Sequence, residues 1–236
     1  MQRAILSWMV WLLVASVAQA QFIELSDFET YVQEHYGTMW SETAGNLAKD
    51  SVSVIDKNGN LTYQEVVEIS GRSKEQLHVQ LNYWLNGLFP NNQGVVLNDR
   101  DAGTIVLSTT LANIVHHKGT MNNYYVSITP TIRIDIKPGK IRIIYSIREY
   151  DITKKAGNGW MSGDGGGKRK KDDKKDSNQK IEKWEVAKHY PFVKNDKQKR
   201  TCAKAFVKTH AYSEIVIGKI KEAVVNGLVG SEDEDW

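Results

Sequence analysis

The octapeptide GDGGGKRK at residues 163–170 has the composition of a phosphate-binding loop. Such a loop cradles phosphate in its backbone amides. It needs glycine where Ser162 stands and serine or threonine where Arg169 stands, between a buried strand and a helix. The segment meets none of these conditions. Ser177 and Lys180 have the Ser-x-x-Lys spacing of some acyl-transfer enzymes. They lie in the same glycine- and lysine-rich stretch, where nothing holds a nucleophile against its base. His116 and His117 are metal-ligating types, but adjacent strand residues point to opposite faces and no third ligand accompanies them. Asp56-Lys57-Asn58-Gly59-Asn60 resembles the opening of a calcium loop; glycine and glutamate are then required where Leu61 and Val67 stand. The pentapeptide therefore predicts a turn between two strands. Asn60-Leu61-Thr62 also matches an N-glycosylation acceptor. The chain holds neither a His-Glu-x-x-His motif nor a nucleophile elbow. No catalytic residue, cofactor or metal site is assigned on this reading, and binding becomes the expected mode of action.

Residues 1–20, MQRAILSWMVWLLVASVAQA, combine one cation at Arg3, an apolar run from Ala4 to Val17 and the small-residue triplet Ala18-Gln19-Ala20. This pattern predicts a secretory leader cleaved before Gln21, with no lipid-anchoring cysteine after the cut. The apolar run is shorter than the ~20 residues of a membrane-spanning helix. Secretion or a periplasmic location is thus expected. The chain carries 31 basic and 28 acidic residues, +3 in all, so loss of Arg3 with the leader leaves +2. A nucleic-acid partner, which calls for a dominant basic face, is not expected. The single cysteine, Cys202, cannot form an intrachain disulfide, and its place on an apolar helical stripe predicts a core thiol.

These side chains have to be positioned by secondary structure. Ser26 and Glu29 form a capping-box pattern ahead of Phe28, Tyr31, Val32, Tyr36 and Trp40, which predicts one helix over 26–49. A second helix is predicted after Ser73, with Leu77, Leu81, Trp84, Leu85 and Leu88 on one stripe and Pro90 beyond its end. Residues 94–111 read as strand, turn and strand, with the turn at Asp99 to Gly103; His116 to Asn123 read as a polar spacer. From Tyr124 to Ile136 the chain alternates: Tyr124, Val126, Ile128, Ile132, Ile134 and Ile136 take the even positions. The returning run places Ile141, Ile143, Tyr145 and Ile147 at odd positions. A turn at Lys137 to Lys140 then pairs Ile136 with Ile141, Ile134 with Ile143, Ile132 with Tyr145, and Asp135 with Arg142. Because Pro-Gly does not favour the primed hairpin turns, a four-residue loop is expected there. Lys154 to Lys180 turn to glycine and charge and predict a disordered polar insert. Its seven basic residues from Lys168 to Lys180 outnumber three aspartates, a composition suited to weak contact with anionic lipid or polysaccharide. IEKWEVAKHYPFV predicts a short strand, and a last helix follows over 197–229 with Cys202, Phe206, Thr209, Ser213, Val216, Ile217, Ile220, Val224 and Leu228 on one stripe.

The predicted organisation is a leader at 1–20, an N-terminal helical segment at 21–50, one domain at 51–153 and 181–230 interrupted by the insert at 154–180, and an acidic tail at 231–236. One apolar sheet face and two one-sided helices predict a two-layer α+β fold, an antiparallel sheet of about five strands with both helices on one face. The other face presents Tyr125, Ser127, Thr129, Arg133, Arg142, Arg148 and Tyr150, the candidate binding surface, beside Asp135 and Ile144. A plainly solvated face is the ordinary alternative. An aromatic-lined crevice between this sheet and the N-terminal helix is the expected ligand position.

In order, the runs VIDKNGNLTYQEVVEISGRSKEQLHVQLNYWL, LNDRDAGTIVLSTT and IRIDIKPGKIRIIYSIREYDI resemble an uncharacterised domain family with a TBP-like fold, found in secreted proteins of Bacteroides-type bacteria. The resemblance spans Val54 to Ile152 and extends to the terminal helix. Pro138-Gly139 stands where the family has an acidic residue before glycine, and Ile141 where it has an aromatic; the long insert is also unusual. TBP-like names a fold and implies no DNA binding. The resemblance implies no activity and no catalytic residue. A secreted, non-catalytic envelope binding module is the expected function, the alternatives being a periplasmic hydrolase with dispersed residues and a subunit of an envelope assembly.

Overall fold

The computed structural model describes residues 22–50, 54–89, 93–118, 122–156, 181–190 and 198–226. The leader, most of the insert, Pro90, Leu228 and the acidic tail lie outside the described residues. Two helices open the described chain, α1 (Leu25–Tyr36) and α2 (Trp40–Lys49); strands β1 (Val54–Ile55) and β2 (Leu61–Glu68) follow, then helix α3 (Lys74–Leu88). Seven consecutive strands come next: β3 (Val95–Asp99), β4 (Thr104–Ser108), β5 (Leu111–Lys118), β6 (Asn122–Ile128), β7 (Thr131–Lys137), β8 (Lys140–Ile147) and β9 (Glu149–Ala156). Strand β10 (Ile181–Glu185), the short helix α4 (Val186–His189) and the long helix α5 (Lys199–Val225) complete it. In the span expected as a polar spacer, His116 to Lys118 end β5 and Asn122-Asn123 begin β6, residues 119–121 lying outside the described residues; Lys154 to Ala156, expected in the insert, end β9.

The strands form two sheets, ordered β1-β2-β8-β7-β4-β3 and β10-β9-β6-β5, and every pairing is antiparallel. The expected α+β architecture is present, with more strands than the five anticipated. The reason is a bend. β4 runs into β5 through Thr109-Thr110, β6 into β7 through Thr129-Pro130, and β8 into β9 through Arg148. Three long strands therefore cross from one sheet to the other. Pro130 has no N–H to give a ladder, and the carbonyl of Arg148 accepts from the Val186 N–H at 2.9 Å instead of from a strand. In β5 the register shifts between Leu111 and Val115, with Asn113 at φ +55°, a bulge that sharpens the turn of the surface. The Asn113 N–H donates to Ser127 Oγ at 3.0 Å, and the hydroxyls of Thr110 and Thr129 share a hydrogen bond of 3.0 Å, so polar side chains fasten the bend.

The even-position alternation survives the two-residue link, so Val126 and Ile128 in one sheet and Ile132, Ile134 and Ile136 in the other all face the core. The β7–β8 register is the one the pattern demands: Ile136 with Ile141, Ile134 with Ile143, Ile132 with Tyr145, Asp135 with Arg142. Its closure differs from the expected four-residue loop. Lys137 and Lys140 pair, leaving a two-residue Pro138-Gly139 turn. Gly139 has φ +72°, the left-handed value a type II turn needs, and its backbone is held from outside the hairpin by the Ile69 N–H and the Arg72 carbonyl, at 2.8 and 2.9 Å. Those contacts supply what a primed turn would have supplied through twist.

Helix α3 starts at the predicted Ser73, whose hydroxyl accepts from the Gln76 N–H while the Gln76 side chain accepts from the Ser73 N–H. Helix α5 departs from its expected one-sided burial. From Thr201 to Ser213 every residue except Lys204 is buried, because the bent sheets, α1 and α2 enclose the helix; only beyond Glu214 does burial fall into a one-sided pattern at Val216, Ile217, Ile220 and Val224. Cys202 is buried there. The single N-terminal helix is in fact two, broken at Gly37 with φ +62°; α1 begins after Glu24 without a side-chain cap, and Ser26 lies inside its first turn. Both helices pack on α5 and leave the outer face of the β7–β8 hairpin uncovered. Phe28 and Val32 bury the apolar side of α1, and the hydroxyls of Tyr31 and Tyr36 donate to Glu214. No described helix is long and apolar enough to cross a membrane.

Candidate functional site

The predicted binding face is not one surface. Arg133 and Arg142 stand on the outer side of the six-stranded sheet, where each engages Asp135: Arg133 Nε at 2.7 Å, Arg142 Nη2 at 2.5 Å. Burial pushes the Asp135 carboxyl up, but the hydrogen bonds from Arg142 and Arg133 outweigh it and hold the group below the usual carboxylate range. Three charges thus satisfy one another. Tyr125 lies on the four-stranded sheet, stacked on His116 at 4.5 Å with Lys155 Nζ 5.1 Å from its ring. Ser127 and Thr129 fasten the bend, as described. Arg148 is exposed at the β8–β9 junction. Tyr150 is fully buried on the inner side of β9, so its assignment to the exposed face is corrected: the bend adds Arg148 between the strands and reverses the parity carried from β8.

A cleft with one tryptophan in its lining lies elsewhere, against α5. Residues Thr38 to Glu42, at the start of α2, meet His117 of β5 and Arg200 and Lys204 of α5 around a cleft of about 420 Å³. A larger groove of about 710 Å³ runs along residues 70–80, but its cation, Arg72, already donates to Gln80. In the smaller cleft, by contrast, Arg200 and Lys204 make no ion pair among the described residues. Lys204 Nζ sits 5.1 Å from the centre of the Trp40 ring, a cation–π contact. One helical turn apart, Arg200 and Lys204 project from the same side of α5. The first turn of α5 contains Lys199 and Arg200 and no acidic residue.

Because alternation points neighbouring histidines to opposite faces, His117 turns inward while His116 stacks outside. Burial, followed by the charges of Lys204 and Arg200 and then His116, lowers the His117 pKa from its ordinary value. Each of these causes favours the neutral imidazole. Its ring contacts Tyr124 across the strand pair at 6.4 Å, Tyr124 contacts Trp184 at 5.8 Å, and Trp184 contacts His189 at 6.2 Å. Lys154 Nζ lies 5.8 Å from the Tyr124 ring and 2.7 Å from Glu182. A row of rings thus leads away from the cleft along the inner side of the four-stranded sheet. No hydroxyl of the cleft is hydrogen-bonded to His117, so the described groups can hold a ligand but include no prepared nucleophile–base pair. Among the described residues no group of three or more His, Cys, Asp or Glu side chains is placed to hold a metal ion. At the predicted turn of residues 56–60, Asp56 Oδ1 accepts from the N–H groups of Asn58 and Asn60 and Oδ2 from the Asn60 amide; these bonds close the turn and lower the Asp56 pKa.

Sequence reasoning missed Trp40, Arg200 and Lys204 as a site. The spacing of Arg200 and Lys204 was visible, but two basic residues one turn apart describe any solvated helix face.

Residues 63–149 match the model of a domain family described as a domain of unknown function (DUF4468) with TBP-like fold. No curated protein matches the chain. Two solved structures resemble it. A TBP-like protein from Parabacteroides distasonis ATCC 8503 is 17% identical, with 73% of this chain and 97% of that one covered and a TM-score of 0.45. A DUF4468 family protein from Bacteroides ovatus ATCC 8483 is 15% identical, with 74% and 91% covered and a TM-score of 0.48. The matched segment runs from β2 to the start of β9 and includes α3. The match ends there and does not take in the terminal helix. Of the cleft residues only His117 belongs to it; the others come from α5, α2 and the loop before α2.

Proposed function

We propose that this is an exported cell-envelope protein, delivered by the leader at residues 1–20, that acts as a non-catalytic binding module. The observation that carries the proposal is the composition of the cleft at Thr38–Glu42, His117, Arg200 and Lys204: two cations that make no ion pair among the described residues, beside an aromatic ring and one carboxylate, Glu42, assembled from three separate segments. Such a set fixes a ligand by charge and contact, and among the described residues no cleft hydroxyl is hydrogen-bonded to His117 as a nucleophile would be. Assembly through a sheet edge has weaker support. Strand β3 exposes Val96 and Leu97, but its pairing with β4 is interrupted by an irregularity between Val95 and Leu97, a device that discourages strand addition.

Two measurements on the full-length gene product test the proposal. Expressed in a Gram-negative host, the protein should be recovered from the envelope fraction with Gln21 as its first residue; retention of Met1 on soluble cytoplasmic protein overturns the export reading. In thermal-shift screens of envelope saccharides and small anions, a ligand at 100 times its Kd should add about 2.7 kcal/mol of stability, while chromogenic ester, glycoside and phosphate substrates stay intact. Turnover that disappears in H117A overturns the non-catalytic reading.

A further inference from the structure

We infer that the cleft takes an acidic monosaccharide unit, a sugar ring carrying one carboxylate or phosphate group. This inference rests on the reading of the cleft as a binding site and names its ligand.

Three features of the cleft point the same way. Arg200 and Lys204 have no carboxylate partner among the described residues, and the guanidinium presents a planar fork that matches the two oxygens of a carboxylate or phosphate. They line the same cleft as His117, one helical turn apart on α5, so two positive charges converge on one region. An anion placed there relieves their mutual repulsion. Glu42 also lines the cleft. An ionised carboxylate only accepts hydrogen bonds, so it repels a second anionic group and requires a donor, which sugar hydroxyls supply. Thr38 and Ser41 add hydroxyls that both donate and accept. Met39 and Trp40 supply an apolar surface, with Met39 among the most exposed large hydrophobic residues of the described chain. Sugar rings present C–H faces to such surfaces while their hydroxyls bond at the edges. The volume of about 420 Å³ falls in the range of small-ligand sites. A simple anion leaves Glu42 and the apolar floor unused, a neutral sugar leaves the cations unused, and a polyanion meets Glu42.

The test is isothermal titration calorimetry of the full chain with four probes: glucuronate for the carboxylate source, glucose 6-phosphate for the phosphate source, neutral methyl glucoside, and acetate. At low ionic strength at least one of the two acidic sugars should bind at least tenfold more tightly than methyl glucoside or acetate, and binding should weaken as salt is added. R200M and K204M should each lower the affinity for that sugar by about tenfold or more, with unchanged melting temperatures showing that the fold persists. E42Q should weaken the acidic sugar and strengthen acetate, a reversal that a generic charge effect does not give. Equal binding of methyl glucoside and the acidic sugars, or full affinity in R200M and K204M, overturns the ligand class and leaves the binding-module reading standing. Absence of binding by both acidic sugars also overturns the ligand class. The binding-module reading stands or falls on its own screen and turnover assay.

Discussion

Lys208 is a lysine with only 2% of its side chain exposed. Its ammonium donates to Glu29 of α1 and, at 2.6 Å, to the carbonyl of Ile114, which lies in the irregular part of β5. The Phe28 ring lies 5.9 Å away. Burial lowers the Lys208 pKa and Glu29 opposes that shift. The two partners are unequal: Glu29 is 51% exposed. Removing the carboxylate in E29A leaves a buried ammonium with one carbonyl. Breaking a fully buried pair costs about 3–5 kcal/mol; half-exposure of Glu29 screens the lost attraction and brings the expected cost to about 2 kcal/mol. K208M removes the charge itself. Glu29 then returns to water at a cost under ~1 kcal/mol, the Ile114 carbonyl loses its donor at about 1–3 kcal/mol, and relief of the ammonium's desolvation, worth several kcal/mol, offsets both. K208M should therefore fall within about 1 kcal/mol of wild type and be the milder mutant. Urea unfolding monitored by circular dichroism measures both. The pH dependence adds a second check. With Glu29 gone the folded-state pKa of Lys208 falls further below its unfolded value of about 10.4. The unfolded state then binds more protons between those two values, so E29A should regain stability relative to wild type as pH rises through that window and show its full deficit below it. A K208M deficit larger than that of E29A, or a pH-independent E29A deficit, would refute the assignment of the ammonium as the costly member of the pair.

Ile134→Asp puts an unpaired carboxylate beside Ile143 in the core and should prevent folding or cost several kcal/mol; Arg142→Ala should cost about 1 kcal/mol or less, since Asp135 keeps Arg133. Similar losses in chemical denaturation would mean that the outer hairpin face is covered. Gly103→Ala should be far worse than Gly139→Ala: both glycines have positive φ, but a methyl at 103 would stand 2.6 Å from the Ile136 carbonyl oxygen, whereas at 139 the nearest atom is 3.9 Å away. Left-handed strain alone is about 1–2 kcal/mol, so equal destabilisation of the two would contradict the close approach at Gly103. For His117, NMR titration should find a pKa below 6.5, rising in R200M and in K204M because each removes a positive charge; an unmoved value would place both cations out of reach of the imidazole.

What was legible in the sequence was whatever depends on neighbours along the chain. Period-two alternation fixed the β7–β8 partners, since a one-residue slip would have turned Ile134 and Ile143 to solvent. Ser73 announced α3 because a cap bonds to amides three residues away. Resemblance over residues 54–152 agreed with the family match at 63–149. The tertiary structure decided the rest. The alternation from Tyr124 to Ile136 keeps its parity through Thr129-Pro130, so the residue pattern cannot tell one flat strand from two strands in different sheets. Only strand pairing shows the bend, and with it the dispersal of the predicted face. On α5 the predicted stripe marks one side, but Thr201, Lys208 and His210 are buried as well, because burial depends on what surrounds the helix on every side. The cleft is the extreme case: Trp40, His117, Arg200 and Lys204 are each unremarkable where they stand in the chain. Their joint field and shape arise when α2, β5 and α5 pack together, and that packing is set by contacts distant in sequence.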